Sequence, residues 1–113
     1  MNAELIVQLF HILIVGGLFL YVGIRKTEIP KIMFPALIAL GVIIVLYHGY
    51  KAIYRIQHKK SYLINLFHII LVGPLLAYIG YFGVETQRMY FEFLLMLCFS
   101  VVGYHGYYMM LEI

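Results

Sequence analysis

Aspartate and tryptophan are absent from this 113-residue chain, cysteine occurs once, and charged residues make up only 12% of it. Each scarcity excludes something. The lone Cys98 forms no internal disulfide, and it leaves no Cys-x-x-Cys pair for a redox couple or a structural zinc site. Glycine-rich phosphate loops, dinucleotide-binding turns, potassium-filter sequences and His-Glu-x-x-His zinc-hydrolase motifs are all missing. No serine or cysteine stands in a pattern that would activate it as a nucleophile. The eight Lys and Arg outnumber five Glu, giving a net charge of +3. Those cations sit in short segments between apolar runs, where they suit lipid headgroups, and nucleic acid is not expected as a partner.

What the chain has is apolar surface. Hydrophobic residues make up 65% of it and the mean hydropathy is +0.97. A soluble domain of this size has too high a surface-to-volume ratio to hide so much. A lipid bilayer accepts apolar side chains on the outside of a fold as well as inside. Apolar runs cover about 5–24, 32–54, 62–82 and 89–113. Each suffices for one pass through about 30 Å of hydrocarbon, and no backbone facing lipid can be irregular, so the expected fold is all-α with four transmembrane helices. The first run lacks the positively charged start of a signal peptide and is long for one, so it is read as a retained helix. The expected location is a membrane, crossed several times. Orientation is undecided: Lys51, Arg55, Lys59 and Lys60 on one side face Arg25, Lys26, Lys31 and Arg88 on the other, four against four.

An internal repeat organises the chain. A shift of 57 residues lays Leu9-Phe10-His11-Ile12 on Leu66-Phe67-His68-Ile69, and Tyr47-His48-Gly49-Tyr50 on Tyr104-His105-Gly106-Tyr107. Across 5–56 against 62–113 no gap is needed, and 19 of the 52 aligned positions are identical. Two greasy segments match Leu and Ile by chance but rarely His, Gly, Tyr and Glu28/Glu85 in register. The expected organisation is a tandem duplication of a two-helix hairpin, residues 1–57 and 58–113. Two passes per copy make the repeats parallel, related by a pseudo-twofold axis along the membrane normal.

Comparing the copies picks out faces. On the first helix Gln8, His11, Val15, Leu18 and Val22 form one stripe, copied as Asn65, His68, Val72, Leu75 and Ile79. On the second, Phe34, Leu37, Gly41, Ile44 and His48 are copied as Phe91, Leu94, Cys98, Val101 and His105. These are the expected inward faces. Gly16 and Gly23 recur as Gly73 and Gly80, the spacing of a tight helix seam, and Pro74, which replaces Gly17, is expected to kink its helix. Glu28 and Glu85 suit helix ends at the headgroups, and Tyr21, Tyr78, Tyr50 and Tyr107 suit the two rims.

The histidines carry the functional expectation. Antiparallel passes bring His11, His48, His68 and His105 to one depth, roughly 6–8 Å from the midplane at 1.5 Å per residue. Ionisable groups at that depth are costly and mark a site. Imidazole is the commonest metal ligand and an axial ligand of haem, so the four are expected to bind haem b or a transition metal such as copper or zinc, for electron transfer. Diagonal pairs, His11 with His68 or His48 with His105, are the expected axial ligands. Gln8, Asn65, Tyr47 and Tyr104 are placed to orient them from behind, while Gly41 and Cys98, two turns deeper, are expected to leave room for a porphyrin or a lipid-like ligand. Two other classes compete. One is a non-catalytic membrane subunit or viral or organellar membrane component, with a structural His/Tyr network and other membrane subunits or further copies of itself as partners. The other is a minimal channel or proton-coupled carrier.

Overall fold

The computed structural model describes residues 2–112 and is helical, with no strand among them. Four helices are long and apolar enough to cross a membrane: α1 (Ala3–Glu28), α2 (Met33–Gln57), α3 (Leu63–Glu85) and α4 (Arg88–Glu112). The expected runs lie within a few residues of these bounds. At 1.5 Å per residue the spans measure about 34–39 Å. Asn2 caps the start of α1, its side-chain oxygen accepting from the Leu5 amide at 2.7 Å.

The chain divides into two compact units. One holds α1 and α4 (Met1–Glu28 with Gln87–Ile113), the other α2 and α3 (Ile29–Thr86). The units cut across the sequence repeats, since each takes one helix from each copy. Helix α1 therefore packs on α4 in the first unit, and its copy α3 packs on α2 in the second.

Glycine sets both seams. In the α2/α3 unit a Cβ on Gly41 would stand 2.6 Å from the Gly73 carbonyl oxygen, and one on Gly73 would stand 2.5 Å from Val45 Cγ2. A Cβ on Gly80 would strike the Phe34 carbonyl oxygen and come within 2.8 Å of the Ile38 amide nitrogen. In the α1/α4 unit a Cβ on Gly23 would stand 2.6 Å from Leu95 Cδ2, and one on Gly16 would stand 3.1 Å from Val102 Cγ2. Backbones this close need residues without side chains, the way helices associate where no hydrophobic effect drives them together. Gly17, which the second copy does not keep, faces open space. Nothing in the structure explains why Gly49 and Gly106 are glycine in both copies, for a Cβ there meets nothing.

Buried side chains follow the expected stripes of α2 and α4: Phe34 and Leu37 in one, Phe91, Leu94, Cys98 and His105 in the other. On α1 the buried positions are Gly16, Phe19, Val22 and Gly23, so the glycine flank and the Val22 end of the histidine stripe are the deepest part of that face. Elsewhere the helices show apolar side chains outward. No more than 33% of the apolar window of any span is buried.

Candidate functional site

Both histidine-bearing first helices are interrupted at the same place. Helix α1 runs as α-helix over Ala3–Phe10, opens into a π-helical turn at His11–Val15 and resumes at Gly16–Arg25. Helix α3 repeats this with Leu63–Phe67, His68–Val72 and Gly73–Phe82. In each, the glycine closing the wide turn donates its amide to the carbonyl of the histidine that opens it, Gly16 to His11 and Gly73 to His68. The expected kink at Pro74 needs a different account, because α1 makes the same turn with Gly17 in that position. What the two turns share is the histidine that opens each. His11 Nδ1–H donates to the Val7 carbonyl at 2.8 Å, and His68 Nδ1–H to the Ile64 carbonyl at 2.7 Å. Each of these carbonyls also accepts the backbone amide of the same histidine, so it takes two donors just before the wide turn. A carbonyl only accepts, so Nδ1 carries the hydrogen in both rings and the neutral ring's lone pair lies on Nε2.

Each unit then brings two histidines face to face. His11 stacks on His105 with ring centroids 4.1 Å apart and planes 19° from parallel. His48 stacks on His68 at 3.9 Å and 13°. The second histidine of each stack is held across the helix pair by an amide. Gln8 Oε1 accepts from His105 Nδ1–H at 2.5 Å, and the Asn65 amide nitrogen donates to His48 Nδ1 at 2.9 Å. The two layers therefore match residue for residue under the 57-residue shift. They differ in which amide atom faces the ring. Asn65 is 2% exposed, and its Oδ1 is buried without a hydrogen-bond partner. Turning this amide over would give His48 the arrangement that His105 has with Gln8.

The sequence expectations map onto this geometry unevenly. Gln8 and Asn65 hydrogen-bond histidines of the facing helix, His105 and His48. Tyr47 and Tyr104 meet the adjoining His48 and His105 edge-on, with centroids 5.1 and 5.2 Å apart, and both tyrosines are exposed. Among the described residues, no group of three or more His, Cys, Asp or Glu side chains stands close enough to hold a metal ion. The space expected beside Gly41 is an open apolar recess of about 170 Å³, bordered by Gly41, Val45, Leu46, Gly73, Pro74 and Ala77. The α3 backbone at Gly73 and Ala77 comes up against Gly41 itself and forms one wall of the recess. The Cys98 thiol is buried and donates to the Gly16 carbonyl at 3.3 Å.

Sequence reading passed over His58. Its Nδ1–H donates to the Tyr54 carbonyl at 2.8 Å, and its ring stacks on that tyrosine at 4.1 Å. It makes the same backward bond as His11 and His68, here at the end of α2 and without a wide turn after it. No family model, no curated protein and no solved structure matches the chain.

Proposed function

We propose that this chain is a small multi-pass membrane protein in which each helix pair is fastened by an imidazole–amide layer, and that it works as a non-catalytic membrane component. The observation that carries the reading is the repeated layer itself: a stacked histidine pair, one ring fixed to its own helix, the other bonded to an amide of the facing helix. Lipid offers imidazole and amide groups no partners, so these groups hold one another and fix the register of the two helices. The exposed apolar faces of all four helices suit lipid, other membrane subunits or a second copy of the chain. A double-mutant cycle on Asn65→Ala and His48→Ala, read as thermal stability in detergent, tests it. A coupling of about 0.5–1.7 kcal/mol is expected. Strictly additive losses would sink the reading.

A second reading, haem b or a transition metal such as copper or zinc serving electron transfer, is favoured by one feature. His11 and His68 give Nδ1–H to a backbone carbonyl, the way metal-ligating histidines are commonly oriented. The stacks themselves work against it. Imidazole lone pairs lie in the ring planes, and two rings within 20° of parallel do not aim them at one ion. Capture would need one ring of a stack to turn outward. An absorption spectrum and metal analysis of the purified protein decide this: a Soret band or stoichiometric metal would support the second reading, and neither would leave the first.

A further inference from the structure

The α2/α3 unit is nearly without acid. From Ile29 to Thr86 its only carboxylate is Glu85, at the far end of α3. At the other end, where α2 turns into α3, Lys51, Arg55, Lys59 and Lys60 fall within ten residues. Glu85 lies the length of a span away, about 33 Å, against a screening length of about 8 Å at physiological salt. Alternate passes bring two further carboxylates to that side of a membrane, Glu4 and Glu112, against the four cations. The opposite side is nearly balanced, with Glu28, Glu85 and Glu92 against four cations, and Arg88 pairs with Glu92 at 2.9 Å.

The loop is also shaped. Lys59 donates its amide to the Ile56 carbonyl at 3.2 Å and Lys60 to the Arg55 carbonyl at 2.8 Å, the two bonds of a Schellman closure. Lys59 stands at φ 56°, the left-handed position that such closures usually give to glycine. Arg55 Nη1 donates to the Ser61 carbonyl at 3.4 Å, and Lys51 Nζ lies 5.8 Å from the Tyr54 ring centroid. Lys59 and Lys60 are exposed. A cation near a helix C-terminus gains from the dipole, but that effect fades within the last turn and does not call for four.

We infer that this loop is a binding surface for the headgroups of anionic phospholipids. The inference rests on the membrane reading above. Lys59 and Lys60 project from a fixed turn at headgroup depth, Arg55 and Lys51 stand below them where a lipid phosphate lies, and no carboxylate of the unit competes. Clusters of four or more Lys and Arg beside a span attract anionic lipid in this way, each cation contributing about a fivefold preference.

The test uses the whole chain, reconstituted in bilayers mixing phosphatidylcholine with phosphatidylglycerol and recovered in nanodiscs, with the retained lipid quantified by mass spectrometry. Wild type should retain phosphatidylglycerol in excess of the bulk ratio. The set Lys51→Gln, Arg55→Gln, Lys59→Gln and Lys60→Gln should lower that excess more than tenfold. Should this variant fail to insert, Lys59→Gln with Lys60→Gln, which touches only exposed side chains, decides with a smaller loss of several-fold. Arg25→Gln with Lys31→Gln, at the opposite end, should leave the excess intact. Equal lipid ratios in wild type and the loop variants, or equal losses from the opposite-end variant, would overturn the inference. So would displacement of the bound lipid by inorganic phosphate at physiological concentration, which would mark a site for soluble anions. A chain found in the soluble fraction would end the membrane reading as well, an outcome distinct from a membrane-bound chain without anionic preference.

Discussion

Lys26 and Gly83 cap the α-helical parts of α1 and α3 in the same backbone conformation, φ 56° with ψ −124° and −125° respectively. They are equivalent under the 57-residue shift, and each opens a single 3-10 turn ending at Glu28 or Glu85. That region of φ/ψ is open to glycine and strained for a residue with a Cβ. One copy has the residue the turn demands, and the other holds a lysine there.

Lys26→Gly should therefore stabilise the protein, by about 1 kcal/mol before the loss of one contact is counted. That contact is the Lys26 ammonium, which donates to the Gly23 carbonyl at 2.9 Å and helps satisfy the end of α1. Gly83→Lys should destabilise by a similar amount. Thermal unfolding in detergent reads both. A loss of stability on Lys26→Gly would show that the ammonium contact outweighs the strain.

The glycine seams give a graded series. Gly80→Ala and Gly41→Ala place a methyl against backbone, which cannot move aside, and should each cost about 1–3 kcal/mol. Gly16→Ala meets the end of a valine side chain at 3.1 Å and should cost less. Gly17→Leu should be tolerated, since nothing lies within 4 Å of its Cβ. Melting temperatures in that order support seams held by backbone approach, and equal temperatures for Gly80→Ala and Gly17→Leu would refute it.

Much of this was legible in the sequence. Length and hydropathy located all four spans, because hydrocarbon thickness leaves little choice of helix length. The recurrence of Gly16 and Gly23 as Gly73 and Gly80 located the seams, because glycine at seven-residue spacing has few other uses in a span. The partners across those seams were not legible. The alignment of Gly41 with Cys98 does not reveal that Gly41 both borders an open recess and admits the facing backbone at Gly73. The histidine pairing was hidden for a related reason. Stripes show which residues face inward, whereas which rings meet depends on the packing of α1 with α4 and of α2 with α3. The wide turns at His11 and His68 were not legible either, since no residue pattern in the sequence marks them.

Pro74→Ala should preserve the π-helical turn of α3, because α1 makes the same turn without proline. Removing the imidazole should not preserve it: His68→Leu takes away the donor to the Ile64 carbonyl. Amide hydrogen exchange at Gly73 reads the difference. Its amide bonds the His68 carbonyl five residues back, and protection should hold in Pro74→Ala and fall in His68→Leu. Loss of protection in Pro74→Ala alone would return the cause to the proline.

The single cysteine supplies the sharpest test of the imidazole–amide layers. Cys98 is buried in the α1/α4 seam with its thiol on the Gly16 carbonyl, so a maleimide reaches it only when that helix pair opens. Under those conditions the labelling rate follows the population of the open state, and a loss of about 1 kcal/mol raises it roughly fivefold. Gln8→Ala and His11→Ala weaken the layer of the same unit, which joins α1 to His105, and should accelerate labelling about three- to tenfold. Asn65→Ala and His48→Ala weaken the layer of the other unit and should leave the rate near that of wild type, though both lower overall stability. Gly16→Ala is the positive control, since it disturbs the seam at the thiol itself. The layers are fasteners of individual helix pairs only if the two sets separate in this way. Identical acceleration by Gln8→Ala and Asn65→Ala would mean that the protein opens as one body, and no acceleration by either would mean that the layers hold nothing.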